Sequence, residues 1–149
     1  MTWARRFWVA AGTCCAFGVV AAQAAEPNPD LPAVQAVCGR CHTTAVFLNK
    51  PRAWDRWNDV FADMTKRGAN GTDQQLEQVT RFFLENLTLV NVNTSAAEEL
   101  GGVLGVSDEV AANIIAQRSR ERFTTLEQLL AFPGVSRDTL QARKSRISF

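Results

Sequence analysis

The feature that most constrains this chain is a repeat near its end: a helix, a Gly-centred turn and a helix, followed by the same arrangement about thirty residues later. In the first copy Ser95-Ala96-Ala97-Glu98 reads as a capping box, opening a short helix that stops at Gly101-Gly102. Leu104-Gly105-Val106-Ser107 then forms a tight hairpin, with Ser107 capping a helix through Val110, Ile114 and Ile115. In the second copy Thr125-Leu126-Glu127-Gln128 is the box, Phe132-Pro133-Gly134-Val135-Ser136 the hairpin, and Leu140 to about Arg146 the last helix. Neither half can bury its apolar side alone, so the two must pack on each other.

The first 24 residues have another character. Arg5 and Arg6 precede an apolar run from Phe7 to Val20, and Ala22-Gln23-Ala24 is a small-x-small cleavage site before Ala25, the pattern of a secretory signal. The expectation is a periplasmic or otherwise exported protein with no stable membrane insertion after cleavage near Ala24. The alternative is a retained anchor, because the weakly polar run from Phe7 to Ala25 approaches bilayer-spanning length. Cys14 and Cys15 leave with a cleaved leader, which concentrates the mature chain's thiol chemistry on Cys38 and Cys41 in an oxidising compartment.

Between leader and repeat, three prolines in Pro27 to Pro32 predict an extended lead-in. A first short helix is expected from about Pro32 to His42, a loop from Thr43 to Lys50, and a second helix from Pro51 to about Arg67. Trp54, Trp57, Val60, Phe61 and Met64 recur on one face of that helix, and Gly68-Ala69-Asn70-Gly71 ends it. A third helix begins at Thr72 or Asp73 and carries Leu76, Val79, Phe82, Phe83 and Leu87. No segment alternates long enough to predict a strand. The domains expected are therefore 1–24 as signal peptide, 25–87 as a small helical module and 88–149 as the repeat.

Cys38-Gly39-Arg40-Cys41-His42 is the chemical centre of the first module. Two thiols one helical turn apart can reach the two vinyl groups of a haem, and the imidazole that follows lies under the iron, which is the signature of one covalent haem c. A zinc site needs four ligands, and the mature chain offers two cysteines and one histidine. A redox dithiol expects a βαβ context that is absent. With His42 proximal, Met64 is the leading distal ligand because it is the one methionine outside the leader. It could equally fill the core in register with Trp54, Trp57 and Phe61. An open sixth position would admit small-molecule chemistry such as peroxide reduction; otherwise the chain is no enzyme.

Residues Cys38 to Leu87, with CxxCH, Pro51, Trp54, Trp57, Met64, Gly68-Ala69 and Phe82-Phe83-Leu84, resemble the small cytochrome c domains found beside quinohaemoprotein dehydrogenases. The resemblance implies His42 proximal, Met64 distal, Trp54 and Trp57 as haem walls, and outer-sphere electron transfer with a dehydrogenase or terminal acceptor as redox partner. Residues Leu89 to Ser148, through Val90 to Leu100, Ala111 to Arg118, Phe123 to Leu126 and Pro133-Gly134-Val135, resemble the paired helix-hairpin-helix domain of ComEA-type DNA-uptake proteins. That likeness implies phosphate contacts at Gly105, Ser107, Gly134 and Ser136, with serines where a second glycine is usual. The fold class expected is all-α, a compact three-helix cytochrome c-like domain followed by a tandem helix-hairpin-helix domain.

Charge bears on the choice between partners. Without Arg5 and Arg6 the 16 basic residues become 14, against 15 acidic ones. From Thr88 onward seven basic side chains face seven acidic ones, a poor balance for electrostatic DNA binding. Arg137, Arg143, Lys144 and Arg146 could still form a local patch. The leading expectation is an exported monohaem electron carrier whose repeat docks partners or shields the haem. The rival is an exported DNA-binding protein with haem as redox sensor or stabiliser.

Overall fold

The computed structural model describes residues 28–149, so the leader, its cleavage site, Cys14 and Cys15 lie outside the described residues. The elements are α1 (Leu31–Cys38), α2 (Ala45–Leu48), β1 (Arg52–Ala53), α3 (Trp54–Lys66), α4 (Asp73–Leu87), β2 (Thr88–Asn91), α5 (Ala97–Leu104), α6 (Asp108–Arg118), α7 (Leu126–Leu130), α8 (Arg137–Arg143), a 3₁₀ turn (Lys144–Arg146) and β3 (Ile147–Ser148). The chain is mostly helical. The expectation of no strand is corrected: three short strands pair in the order β1-β2-β3, both pairings parallel. Two- and four-residue strands carry no readable alternation, and their partners are 36 to 57 residues away (Arg52 with Thr88, Val90 with Ile147).

Several element ends differ from expectation for local reasons. Helix α1 stops at Cys38 rather than His42: Gly39 is its C-cap, with the N–H still donating to the Gln35 carbonyl at 2.9 Å, and a Cβ on residue 39 would collide with that oxygen. The loop from Thr43 holds the single turn α2, pinned by buried Phe47. Pro51 stands before β1, and α3 begins at Trp54. Ser95 does not cap α5: its Oγ accepts from the Asn91 N–H at 3.2 Å, and Ala96 is the capping residue. Helix α5 also runs through Gly101 and Gly102 to Leu104, with Gly102 so near Leu84 of α4 that a Cβ would lie 3.1 Å from the Leu84 Cβ. The last helix starts at Arg137, capped by Ser136, rather than at Leu140, and gives way to the 3₁₀ turn after Arg143. The expected Thr72 and Ser107 caps and the Thr125/Gln128 box agree, and Thr72 forms a reciprocal box with Gln75 as well.

Two apolar clusters form. One gathers Val34, Val37, Phe47, Trp57, Val79, Phe82, Phe83 and Leu87 from α1 to α4. Asp30, 3% exposed, anchors α1 to α4 through a bidentate pair with Arg81 at 2.8 and 2.6 Å. The other cluster gathers Val90, Val92, Leu100, Val103, Leu104, Ala111, Ile114, Phe123, Leu129 and Leu140, drawing on both copies of the repeat, as its unburied halves require.

The end of α4 joins the clusters, and its orphan carbonyls have partners from both sides. Trp57 Nε1 donates to the Leu87 carbonyl at 2.9 Å, and Thr88 Oγ1 to that of Phe83 at 2.9 Å. From the chain's far end, Arg146 donates to the carbonyls of Glu85 (2.6 Å) and Thr88 (3.1 Å). Burial, with repulsion from Arg143 added, pushes the Arg146 pKa down to about 10. No helix among the described residues is long and apolar enough to cross a membrane.

Candidate functional sites

The paired hairpins are built from sequence by two glycines and two serines. Gly105 has φ +66° and Gly134 φ +84°, the left-handed region a β-carbon disfavours; Gly105 ends α5, and Gly134 turns the chain three residues beyond Ala131, the cap of α7. The N–H groups of Gly105 and Val106 return to the Gly101 carbonyl at 2.9 and 3.2 Å, and Val135 returns to Phe132 at 3.3 Å. Ser107 Oγ then accepts from the Val110 N–H at 3.3 Å, and Ser136 Oγ from Thr139 at 3.4 Å. The serines thus cap α6 and α8, and the remaining first-turn N–H groups have no helical acceptor. The hairpins pack reciprocally: Gly105 faces Thr139 of α8, and Gly134 faces Val110 of α6. All four expected residues, Gly105, Ser107, Gly134 and Ser136, are exposed at these two turns.

The arginines of this module divide by use, which corrects the expected basic patch. Arg118 donates to the carbonyls of Val92 (2.9 Å) and Ser95 (2.7 Å), and Arg143 to those of Gly102 (2.8 Å) and Val103 (3.0 Å). With Arg146 at α4, three of the seven cations are spent satisfying backbone ends, including two of the four in the expected cluster. Arg120, Arg122, Arg137 and Lys144 are exposed, and no carboxylate lies within ion-pair reach of them among the described residues. Arg137 is the first residue of α8, next to the second hairpin.

A cavity of about 610 Å³ opens beside α1, α3 and α4. Cys38, Cys41 and His42 line one part of it; Trp57, Phe61 and Met64 of α3 line another, with Val79 and Phe83 of α4. Cys38 is half-buried, and burial pushes its thiol pKa up, whereas Cys41 is exposed. His42 Nδ1 lies 3.3 Å from the Thr43 carbonyl, and its Nε2 has no protein partner among the described residues. Arg40 spans to Asn70, bonding its carbonyl oxygen and its Oδ1, the latter at 2.8 Å; this ties the Cys38–His42 turn to the α3–α4 loop. Trp57 is a wall of the cavity. Trp54 packs edge-on to Phe61 at 5.9 Å and is not among the lining residues. Sequence reasoning missed Arg52, which β1 places in the lining with its guanidinium 5.2 Å from the Trp57 ring centre.

Comparison with known proteins bears on the hairpin half. Residues 85–148 match the family described as helix-hairpin-helix motif. This stretch is a helix-hairpin-helix module. Over 61 residues, 40% of this chain, the sequence is 39% identical to ComE operon protein 1 of Bacillus subtilis (strain 168). The match spans 30% of that protein's length. No solved structure matches the chain. Among the described residues no group of three or more His, Cys, Asp or Glu side chains is placed to hold a metal ion.

These matches overturn the leading functional expectation. The family and the relative both lie on the helix-hairpin-helix module, which the electron-carrier reading had reduced to an appendage, and neither is a cytochrome. The reading of the whole chain as a cytochrome-type electron carrier serving a redox partner is therefore given up. The rival reading, with DNA as partner, agrees better with the matched module.

Proposed function

We propose that this chain is an exported DNA-binding protein that holds the sugar–phosphate backbone with its paired hairpins. The observation that carries the reading is the reciprocal pair of Gly-centred hairpins, each leading into a serine-capped helix start. A helix start with N–H groups to spare suits a phosphate oxygen, and two such starts suit successive phosphates. Gly105, Ser107, Gly134 and Ser136 would form the backbone contacts, with Arg137 and Lys144 supplying charge. Such contacts read no bases, so binding would be indifferent to sequence.

The gathering of Cys38, Cys41, His42 and Met64 around one cavity supports a covalent haem c as a stabilising group for the small N-terminal module. Cys38 and Cys41 would hold it by thioether bonds, with His42 Nε2 and Met64 as iron ligands. The His42 Nδ1 contact to a backbone carbonyl is the arrangement that presents the other ring nitrogen to a metal. When bound, the group supplies a large apolar face and a covalent tether, which a module of about sixty residues can use for stability.

Fluorescence anisotropy with the full chain and a labelled duplex tests the DNA reading. Binding at low salt is expected, weakened several-fold in Arg137→Gln/Lys144→Gln with the fold intact by circular dichroism. No binding at low salt would reject it.

A further inference from the structure

The charged groups around the cavity are unequal. Asp63 and Arg67 both line it, and Arg67 Nε bonds Asp63 Oδ2 at 2.9 Å, so their charges offset each other. Arg40 is engaged with Asn70. Arg52 is the remaining lining arginine; among the described residues it has neither a carboxylate within ion-pair reach nor a hydrogen-bond acceptor. Its backbone is fixed, since β1 pairs in parallel with β2 at Arg52–Thr88 and Ala53–Leu89. Its guanidinium is held over Trp57, whose ring is 1% exposed and tethered through Nε1 to Leu87.

A cation kept by an aromatic face beside a cavity whose other cation, Arg67, is paired has a positive charge and five N–H donors without a partner. Carboxylates match that planar fork better than any neutral ligand edge. We propose that Arg52 is the anion-recognition residue of this cavity, pairing with a carboxylate on an otherwise apolar, planar ligand. The inference rests on the haem reading above, since haem carries two propionates on an apolar ring. It adds the orientation: the acidic edge of the ligand faces β1.

The test uses the full chain with Cys38→Ala and Cys41→Ala, so that the ligand exchanges without a covalent bond. Haemin and its propionate dimethyl ester are titrated into this chain and into the same chain carrying Arg52→Gln, following quenching of tryptophan fluorescence. The expected result is that Arg52→Gln weakens haemin binding about tenfold, the loss of one charge-assisted hydrogen bond, while leaving the ester unchanged. Arg52→Lys should recover only part of the loss, because a point charge replaces the fork. An equal effect on both ligands, or on neither, would overturn the assignment while leaving the haem reading standing. If neither ligand binds the chain that retains Arg52, the haem reading fails together with the assignment.

Discussion

Gly134→Ala gives the sharpest test of the hairpin geometry. At φ +84° any β-carbon is strained, which costs about 1–2 kcal/mol. A Cβ at this position would also lie 2.6 Å from Val110 Cγ2, well inside contact distance, and overpacking of this kind adds about 1–3 kcal/mol. The total is about 2–5 kcal/mol. At Gly105, φ is +66° and the nearest atom to a built Cβ is Thr139 Cγ2 at 3.1 Å, so Gly105→Ala should lose only about 1–2 kcal/mol. Urea denaturation of the four variants Gly105→Ala, Gly134→Ala, Val110→Ala and Gly134→Ala/Val110→Ala would read this. Removing the Val110 methyl groups should recover the steric part of the Gly134→Ala loss and none of the backbone part, giving a coupling of about 1 kcal/mol or more. Equal losses at the two glycines, or strict additivity of the Val110 and Gly134 changes, would refute the reciprocal packing.

Other outcomes follow from the junction and the cavity. Arg146→Met should destabilise the protein by about 2 kcal/mol, because two part-buried carbonyls at the end of α4 lose a charged donor while the cost of burying the guanidinium is relieved; a shared thermal transition shifted to lower temperature is the expected readout. In the haem-free chain iodoacetamide should modify Cys41 before Cys38, by peptide mass mapping, since Cys41 is exposed and Cys38 is half-buried with its thiol pKa raised. The raised Cys38 pKa also sets a pH dependence. The unfolded chain releases the thiol proton first, so haem-free stability, full below the ordinary thiol range, should fall as pH rises through about 9, and Cys38→Ala should flatten that fall in denaturant midpoints. Asp30→Asn should loosen α1 from α4, seen as faster amide exchange in Leu31–Cys38 than elsewhere.

What could be read from the sequence was what is encoded locally. The Thr72 and Ser107 caps, the Thr125/Gln128 box and the turns centred on Gly105 and Gly134 depend on neighbours within four residues, and each is where its spacing puts it. Ser95 misled because a Ser-x-x-Glu pattern is satisfied equally well by a turn, and Asn91 took its hydroxyl. The strands depend on pairing between distant segments and leave no local trace. The arginines are the instructive case. Arg143 and Arg146 read as part of a basic patch and Arg118 as a further cation of the module, yet each ends on backbone carbonyls of a distant segment, at sequence separations of 23 to 61 residues. In the cavity the thiols and the imidazole were legible as a motif, whereas Arg52 acquires its place only through β1 pairing with β2.

The salt dependence of duplex binding tests the central claim most directly. Phosphate contacts release counterions, so log Kobs should fall linearly with log salt at about 0.9 per phosphate contacted. With Arg120, Arg122, Arg137 and Lys144 as the available cations, the expected slope lies between about −2 and −4, the same for unrelated sequences, and is reduced by about 2 in Arg137→Gln/Lys144→Gln. A slope near zero, or no measurable binding at low salt, would contradict the assignment of this module to the DNA backbone.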